Sequence, residues 1–460
     1  MTSRFLELRA DNLDSDGTIS FKQGFPVLSF TVQSQNAILD PRTIRINGEV
    51  LFNKGLAAGV GVPVLEADGQ TGITMDNRLG VFALWDQLVV RHQKSQQIVE
   101  HIRHYNRYMS TYLGLSSSMQ DMTGHLNQAC LIQPNSDAMF RNVICSHNVA
   151  NPRPNEFSCH LPSGFLKGGN TINLMETSFG GFRIEIHLTP DSNALFSRNG
   201  TIDAANAEAH YVLKNLSLTC EVMDIPEDRM AEMSAQREGA MSFSTISSLY
   251  ATYNTSNAQI QYDVGLKNLQ SAFVTFCPSN HINTLSANGL ATTYPAQQGA
   301  AGTLVHNTRV QFLKGGSKYP LDYDVTTNKT SALNGDIAIA GSAATFGTAD
   351  PQLALQFAEA VIPEYMLART SLSPINLNRT YFMANTFGTD DYKQQRNGGA
   401  LFGIGIRYSQ FNSGQDFSQE QWGLSLSNSL VTDNPISLFI YYKAKTTVVF
   451  DGSGGIEVIQ

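Results

Sequence analysis

Charge is what this sequence has least of. Only 15% of its 460 residues are Asp, Glu, Lys or Arg, where about a quarter is usual for a soluble protein. Asn, Gln, Ser, Thr and Gly fill the gap. Such a surface suits large, wet contacts with neighbouring molecules; it is equally what a loop-rich all-β protein displays. Net charge is −8, so a strong general affinity for nucleic acid is not expected, because phosphate binding needs clustered Lys and Arg. The densest basic group, Arg91, His92, Lys94, Arg103, His104 and Arg107, reads as the solvated face of a helix.

Cysteine is scarce as well. The five, Cys130, Cys145, Cys159, Cys220 and Cys277, are odd in number and show no CxxC spacing. Cys220 and Cys277 sit in apolar strand patterns and read as buried thiols, which argues for a reducing compartment and against a disulfide framework. Met1 to Leu8 holds no apolar run with a cleavage site, so no secretory signal is expected. Nor is there a run of about 18 apolar residues that would span a membrane.

The usual catalytic signatures are missing too. Gly398-Gly399 and Gly403-Ile404-Gly405 lack the lysine and the strand-to-helix setting of a phosphate-cradling loop and read as strand bends or close backbone contacts. There is no GxSxG elbow; Gly452 to Gly455 reads as a turn. His101 and His104 lie three apart, on one face of an expected helix, but have no third ligand. Cys145, His147, Cys159 and His160 match no zinc spacing. Glu364, Asp390 and Asp391 are carboxylates that nothing singles out as a glycosidase pair. No catalytic, cofactor-binding or metal-ligating residue is expected, and no cofactor.

What is present is a pattern used twice: strands, one amphipathic helix, more strands. Period-two alternation marks strands at Val27–Gln33, Thr43–Phe52, Leu84–His92, Asn155–Leu161, Ile172–Thr177, Phe182–Leu188 and Leu213–Met223. Apolar residues three or four apart, Ile98, Ile102, Tyr105, Met109 and Tyr112 or Leu113, predict a helix over Lys94–Leu113 capped by Ser95. Pro226 to Glu238 predicts a short connecting helix ended by Gly239. The second half repeats the scheme, with strands at Ser242–Tyr253, Gln259–Asp263, Leu269–Cys277, within Arg309–Val325, and at Leu401–Tyr408, Trp422–Leu430, Ser437–Phe450 and Ile456–Ile459. Its helix is predicted over Asp350 to about Ile362, with Pro363 ending it. Six to eight short strands per half, with long loops, predict two eight-stranded jelly rolls, each with an inserted helix. The divisions are an arm at 1–19, a first roll at 20–224, a helical connector at 225–240 and a second roll at 241–460, with surface loops at about 278–307 and 326–348.

Several stretches, in order along nearly the whole chain, resemble one family. They are Phe5-Leu6-Glu7-Leu8 with Asp16 to Phe21, the "DPRTIRING" of Asp40 to Gly48, Trp85 to Tyr108, the "FLKGGSKYPLDY" of Phe312 to Tyr323, and the closing run from Gly423 to Phe450. Together they resemble the double jelly-roll major capsid proteins of virophages and polinton-like viruses. The resemblance implies a homotrimer with a pseudo-hexagonal footprint that tiles an icosahedral shell and sits in the virion. The implied partners are other copies of the chain, neighbouring capsomers, and penton and minor capsid proteins. It also implies that the two long loops form outward towers and that the arm lies at the base. Two other readings remain open. One is a carbohydrate-binding or carbohydrate-cleaving β-sandwich, with Tyr408 or Trp422 stacking on sugar. The other is a minor or receptor-binding shell component.

Overall fold

Alternation builds the first sandwich directly. The computed structural model describes residues 2–22, 26–57, 60–63, 73–76, 78–117, 121, 124–132, 155–168, 170–197, 209–235, 239–290, 309–320, 325–326, 351–362, 403–408, 414–427, 435–450, 452 and 454–460. In the first half the main strands are β1 (Ser3–Arg9), β2 (Val27–Val32), β3 (Ala37–Ala57), β4 (Trp85–His92), β5 (Ile98–Ile102), β6 (Asn155–His160), β7 (Phe182–Leu188) and β8 (His210–Asp224). A seven-stranded sheet has β8 between β1 and β3, with β6 also on β3. A four-stranded sheet runs β2-β7-β4-β5, antiparallel throughout. In β7, Phe182, Ile184, Ile186 and Leu188 are buried while Arg183, Glu185 and His187 are half-buried on the other face, as alternation requires.

The second half is built likewise. Its main strands are β9 (Gly239–Tyr253), β10 (Ala258–Tyr262), β11 (Leu269–Pro278), β12 (Arg309–Lys314), β13 (Gly403–Arg407), β14 (Trp422–Ser427), β15 (Ile436–Phe450) and β16 (Ile456–Ile459). One five-stranded sheet runs β9-β15-β11-β13 with β16 added to β15, and another contains β10-β14-β12 with two short strands. Each half carries a helix of about three turns: α1 (Tyr105–Ser116) in the first, and in the second a helix at Pro351–Val361, with a connecting helix at Glu227–Ala235 between them. The second helix lies on β13 at close range. A Cβ on Gly403 would fall 2.2 Å from the Phe357 ring, so only glycine lets helix and strand approach this far.

Three expectations are corrected. The predicted helix over Lys94–Leu113 is a strand followed by a helix. Ile98–Ile102 pairs with β4, and Ser95 forms part of the β4–β5 turn instead of a cap. Residues four apart share a face on a strand as well as on a helix, so the spacing of Ile98 and Ile102 suited both. Residues 3–9, read as an extended arm, are extended but paired with β8 along their whole length. The Asp11 and Asn12 side chains then tie the following segment to Ser29 and Thr31 of β2. Third, Ile172–Thr177 contributes only a two-residue strand, Ile172–Asn173.

One apolar cluster continues through both halves. Tyr108 of α1 packs against Phe273 of β11 and Tyr441 of β15, with centroids 6.4 and 6.1 Å apart, and Phe273 stacks on Tyr441 at 5.0 Å. Phe165 of the first half meets Phe243 of the second edge to face at 5.3 Å. Phe273 is fully buried at the centre of this group. The substitution Phe273→Ala is therefore expected to cost about 3–5 kcal/mol, read as a lowered denaturant midpoint. Because the ring serves both halves, the loss should appear in a single transition.

Candidate functional site

The side chains considered for chemistry are scattered or committed to packing. His101 lies on β5, whereas His104 precedes α1 in a left-handed backbone conformation (φ 52°), so the two do not share a helix face. Cys159 is buried and His160 exposed, on opposite faces of β6. Tyr408 and Trp422, weighed as sugar platforms, are core residues: both are buried, and the indole N–H donates to Tyr408 Oη at 2.9 Å. Cys130, Cys159, Cys220 and Cys277 are buried and belong to no disulfide among the described residues. Among the described residues no group of three or more His, Cys, Asp or Glu could hold a metal. Cys145, His147, Glu364, Asp390 and Asp391 lie outside the described residues.

Several buried polar and charged side chains lie where the two halves meet. Arg107, expected on a solvated face, is 2% exposed. It donates to the Gly289 carbonyl, and its guanidinium lies 3.9 Å from the Phe439 ring centroid. Nearby, Arg78 and Asp76 form a buried ion pair at 3.0 Å, and Asn288 from the second half donates to the same carboxylate at 2.8 Å. Burial pushes the Asp76 carboxyl up, but Arg78 and Asn288 more than offset this and leave it below the usual range. Residues 279–290 open the stretch expected to form an outward loop. Their Asn288 and Gly289 reach inward and clamp the first half; 291–307 lie outside the described residues.

Further along the seam, Tyr441 Oη donates to the His104 carbonyl at 2.9 Å and Ser248 Oγ to the Arg103 carbonyl at 2.8 Å, so the second half holds the turn that starts α1. Backbone packing is closest at the short helix Gly164–Lys167, which sits against β9: a Cβ on Gly164 would lie 1.7 Å from the Ser244 carbonyl oxygen. Glu100 of β5 accepts N–H donors from both halves here. Sequence reading missed this seam. Its signals, a lone Glu inside a strand and an Arg at the head of a helix, have no local pattern.

The outer faces differ in character. On the four-stranded sheet, Arg91 and Glu185 pair at 3.0 Å, Arg183 lies 3.5 Å from the same Glu185, and His101 Nε2 sits 2.9 Å from Gln87 Oε1. Burial, with the nearby charges of Arg103, His187 and Arg91, pulls His101 down to about 4. On the seven-stranded sheet, Phe5 is 72% and Met223 39% exposed, and Ile38 pairs with Met223. These apolar side chains stand among the charged Glu7, Arg9 and Glu221.

This architecture has relatives among solved structures. The chain is similar to a chain of the PBCV-1 virus capsid, with TM-score 0.56, 10% identity, and 100% of this chain and 96% of that one covered. It is similar to the PBCV-1 capsid protein fitted into the virophage Sputnik (TM-score 0.52, 10% identity, 100% and 97% covered). It is also similar to a chain of the Sputnik virophage itself (TM-score 0.50, 9% identity, 100% and 88% covered). The chain has the double jelly-roll fold of viral major capsid proteins. No protein-family model matches the sequence and no curated protein matches it. At such low identity the likeness lies in how the double jelly roll is laid out, not in shared side chains.

Two outcomes follow for the double jelly roll. Gly164→Ala drives a methyl group into the Ser244 carbonyl and is expected to cost about 2–4 kcal/mol; hydrogen exchange should rise first in residues 239–253. His101 binds a proton less readily folded than unfolded. Its contribution is thus complete above its ordinary value and is lost as pH falls from there toward about 4. In thermal unfolding followed from neutral pH downward, His101→Gln should flatten the acid loss by about 1 kcal/mol, the full shift being discounted for solvent screening of a half-exposed ring.

Proposed function

We propose that this chain is a major capsid protein, which trimerises into pseudo-hexameric capsomers that tile an icosahedral virus shell. The observation that carries the reading is the full-length double jelly roll, matched over 100% of this chain by the PBCV-1 capsid chain. The role is geometric and involves no catalysis. In the proposed division, residues 1–19 lie at the base with residues 3–9 as an edge strand of the first roll, 20–224 complete that roll, 225–240 form the connector and 241–460 the second roll. The chain acts in the virion, with other copies of itself, neighbouring capsomers, and penton and minor capsid proteins as partners.

The physical properties support this role. Permanent subunit contacts commonly bury more than about 2,000 Å2 around apolar cores, and Phe5, Met223 and Ile38 offer apolar atoms on an outer sheet face. Carrying two rolls in one chain removes the entropy of associating them separately. A threefold axis closes the capsomer and prevents open-ended growth. Contacts between capsomers would be more polar and reversible, which the low charge and many Asn, Gln and Ser residues favour.

Native mass spectrometry of the full chain tests the reading. A trimer at three times 50.3 kDa is expected, with electron micrographs of assembled particles showing hexagonal capsomers. A stable monomer that binds glycans would favour the sandwich alternative, and a low copy number in purified particles would favour a minor shell component. Phe5→Glu should weaken the trimer without unfolding the rolls, since the ring is 72% exposed in the single chain.

A further inference from the structure

Glu100 is a buried acid with no cationic partner among the described residues. Its residue is 1% exposed. Oε1 accepts the N–H of Gly164 at 3.0 Å and of Ile246 at 3.2 Å, and the Thr245 hydroxyl at 3.3 Å; Oε2 accepts the N–H of Phe165 at 2.9 Å. Gly164 and Phe165 belong to the first roll, Thr245 and Ile246 to the second. One carboxylate is thus shared across the seam. The Gly164–Lys167 helix carries Lys167, whose ammonium is turned onto Tyr112 Oη at 2.7 Å. From α1 the facing titratable group is Tyr105, buried and, with its pKa pushed up, uncharged. β9 brings Ser244, Thr245 and Ile246 and has no Asp, Glu, Lys, Arg or His along its length. On β5 itself, His101 projects to the opposite face.

We propose that Glu100 is a proton-operated latch between the two rolls, which tightens the seam when it takes up a proton and loosens it when the proton leaves. With the seam closed, the ionised carboxylate is stripped of water and faces no opposite charge among the described residues. With the rolls parted, it would be hydrated. The closed seam therefore favours the neutral acid. Thr245 and Ser163 beside it can rotate their hydroxyls to accept its proton. Burial raises the Glu100 pKa above the usual carboxylate range, and hydrogen bonds from Phe165, Ser163, Ile246 and Gly164 oppose the rise only in part. The closed form thus binds the proton more tightly than the open form. The added stability is complete at low pH and is lost as pH rises through the closed-state value. None of this depends on the chain being a shell protein.

Glu100→Gln removes the titration at nearly constant shape. The unfolding free energy of the full chain, wild type minus E100Q, is measured from about pH 7.5 down to about pH 5. His92, His101, His160 and His187 bind protons less readily in the folded chain and titrate in the opposite sense, but they are common to both proteins and cancel. Wild type should gain on E100Q as pH falls. Hydrogen-exchange protection of 239–253, relative to 182–188, should rise several-fold in wild type and stay constant in E100Q. A difference that is flat or shrinks on acidification overturns the latch. If E100Q does not fold, wild-type exchange decides alone: relative protection of 239–253 that fails to rise on acidification overturns it equally.

Discussion

The double jelly roll depends on one constraint: two sandwiches with separate hydrogen-bonded sheets must meet at one fixed angle. Apolar contact supplies attraction but little direction. The Tyr108, Phe273 and Tyr441 rings would tolerate some sliding, because burial scales with area more than with register. Direction comes from polar groups that hydrogen-bond across the seam. Glu100 needs N–H groups from both rolls at once, and Arg107 needs both the Gly289 carbonyl and the Phe439 face. A displacement of about 1 Å would leave a buried polar group short of partners, which costs more than the bond itself is worth.

Glycine makes that closeness sterically possible. Gly164 lets the short helix touch β9, and Gly403 lets the second-roll helix press onto β13. Both positions are set by what must approach, not by a turn. The left-handed backbone at His104 belongs to the same logic. Its carbonyl is pinned by Tyr441, 337 residues away in sequence, so the start of α1 is held by the other roll. In the proposed role as a tile this rigidity would matter, since small errors in the angle between rolls would multiply across a lattice.

The seam also clarifies how the basic group at residues 91–107 divides. Arg91 answers Glu185 on an outer sheet face, and Lys94 reaches Glu176. His92 is buried, with Nδ1 accepting from the Ser95 N–H and Nε2 therefore donating to the Phe179 carbonyl at 2.7 Å. Arg107 is buried between the rolls. Consecutive residues of one sign thus serve a surface, a turn and an interface, and no continuous basic face results.

Much of this was legible in the letters alone. Alternation at Phe182–Leu188 located a strand to the residue, proline placed the start of the second-roll helix at Pro351, and the Pro226 step marked the connecting helix. These signals are local, because a strand or helix must bury one face whatever lies opposite. Tertiary structure alone decided the rest. Ile98 and Ile102 became strand because β4 offered an open edge to pair with. Tyr408 and Trp422 became core because the folded sheets bury both rings and let the Trp422 N–H donate to Tyr408 Oη away from solvent. Glu100 and Arg107 became seam residues because their partners lie up to 332 positions away, over Phe439. No periodicity encodes such a pairing: desolvation and hydrogen-bond geometry arise only when distant segments meet.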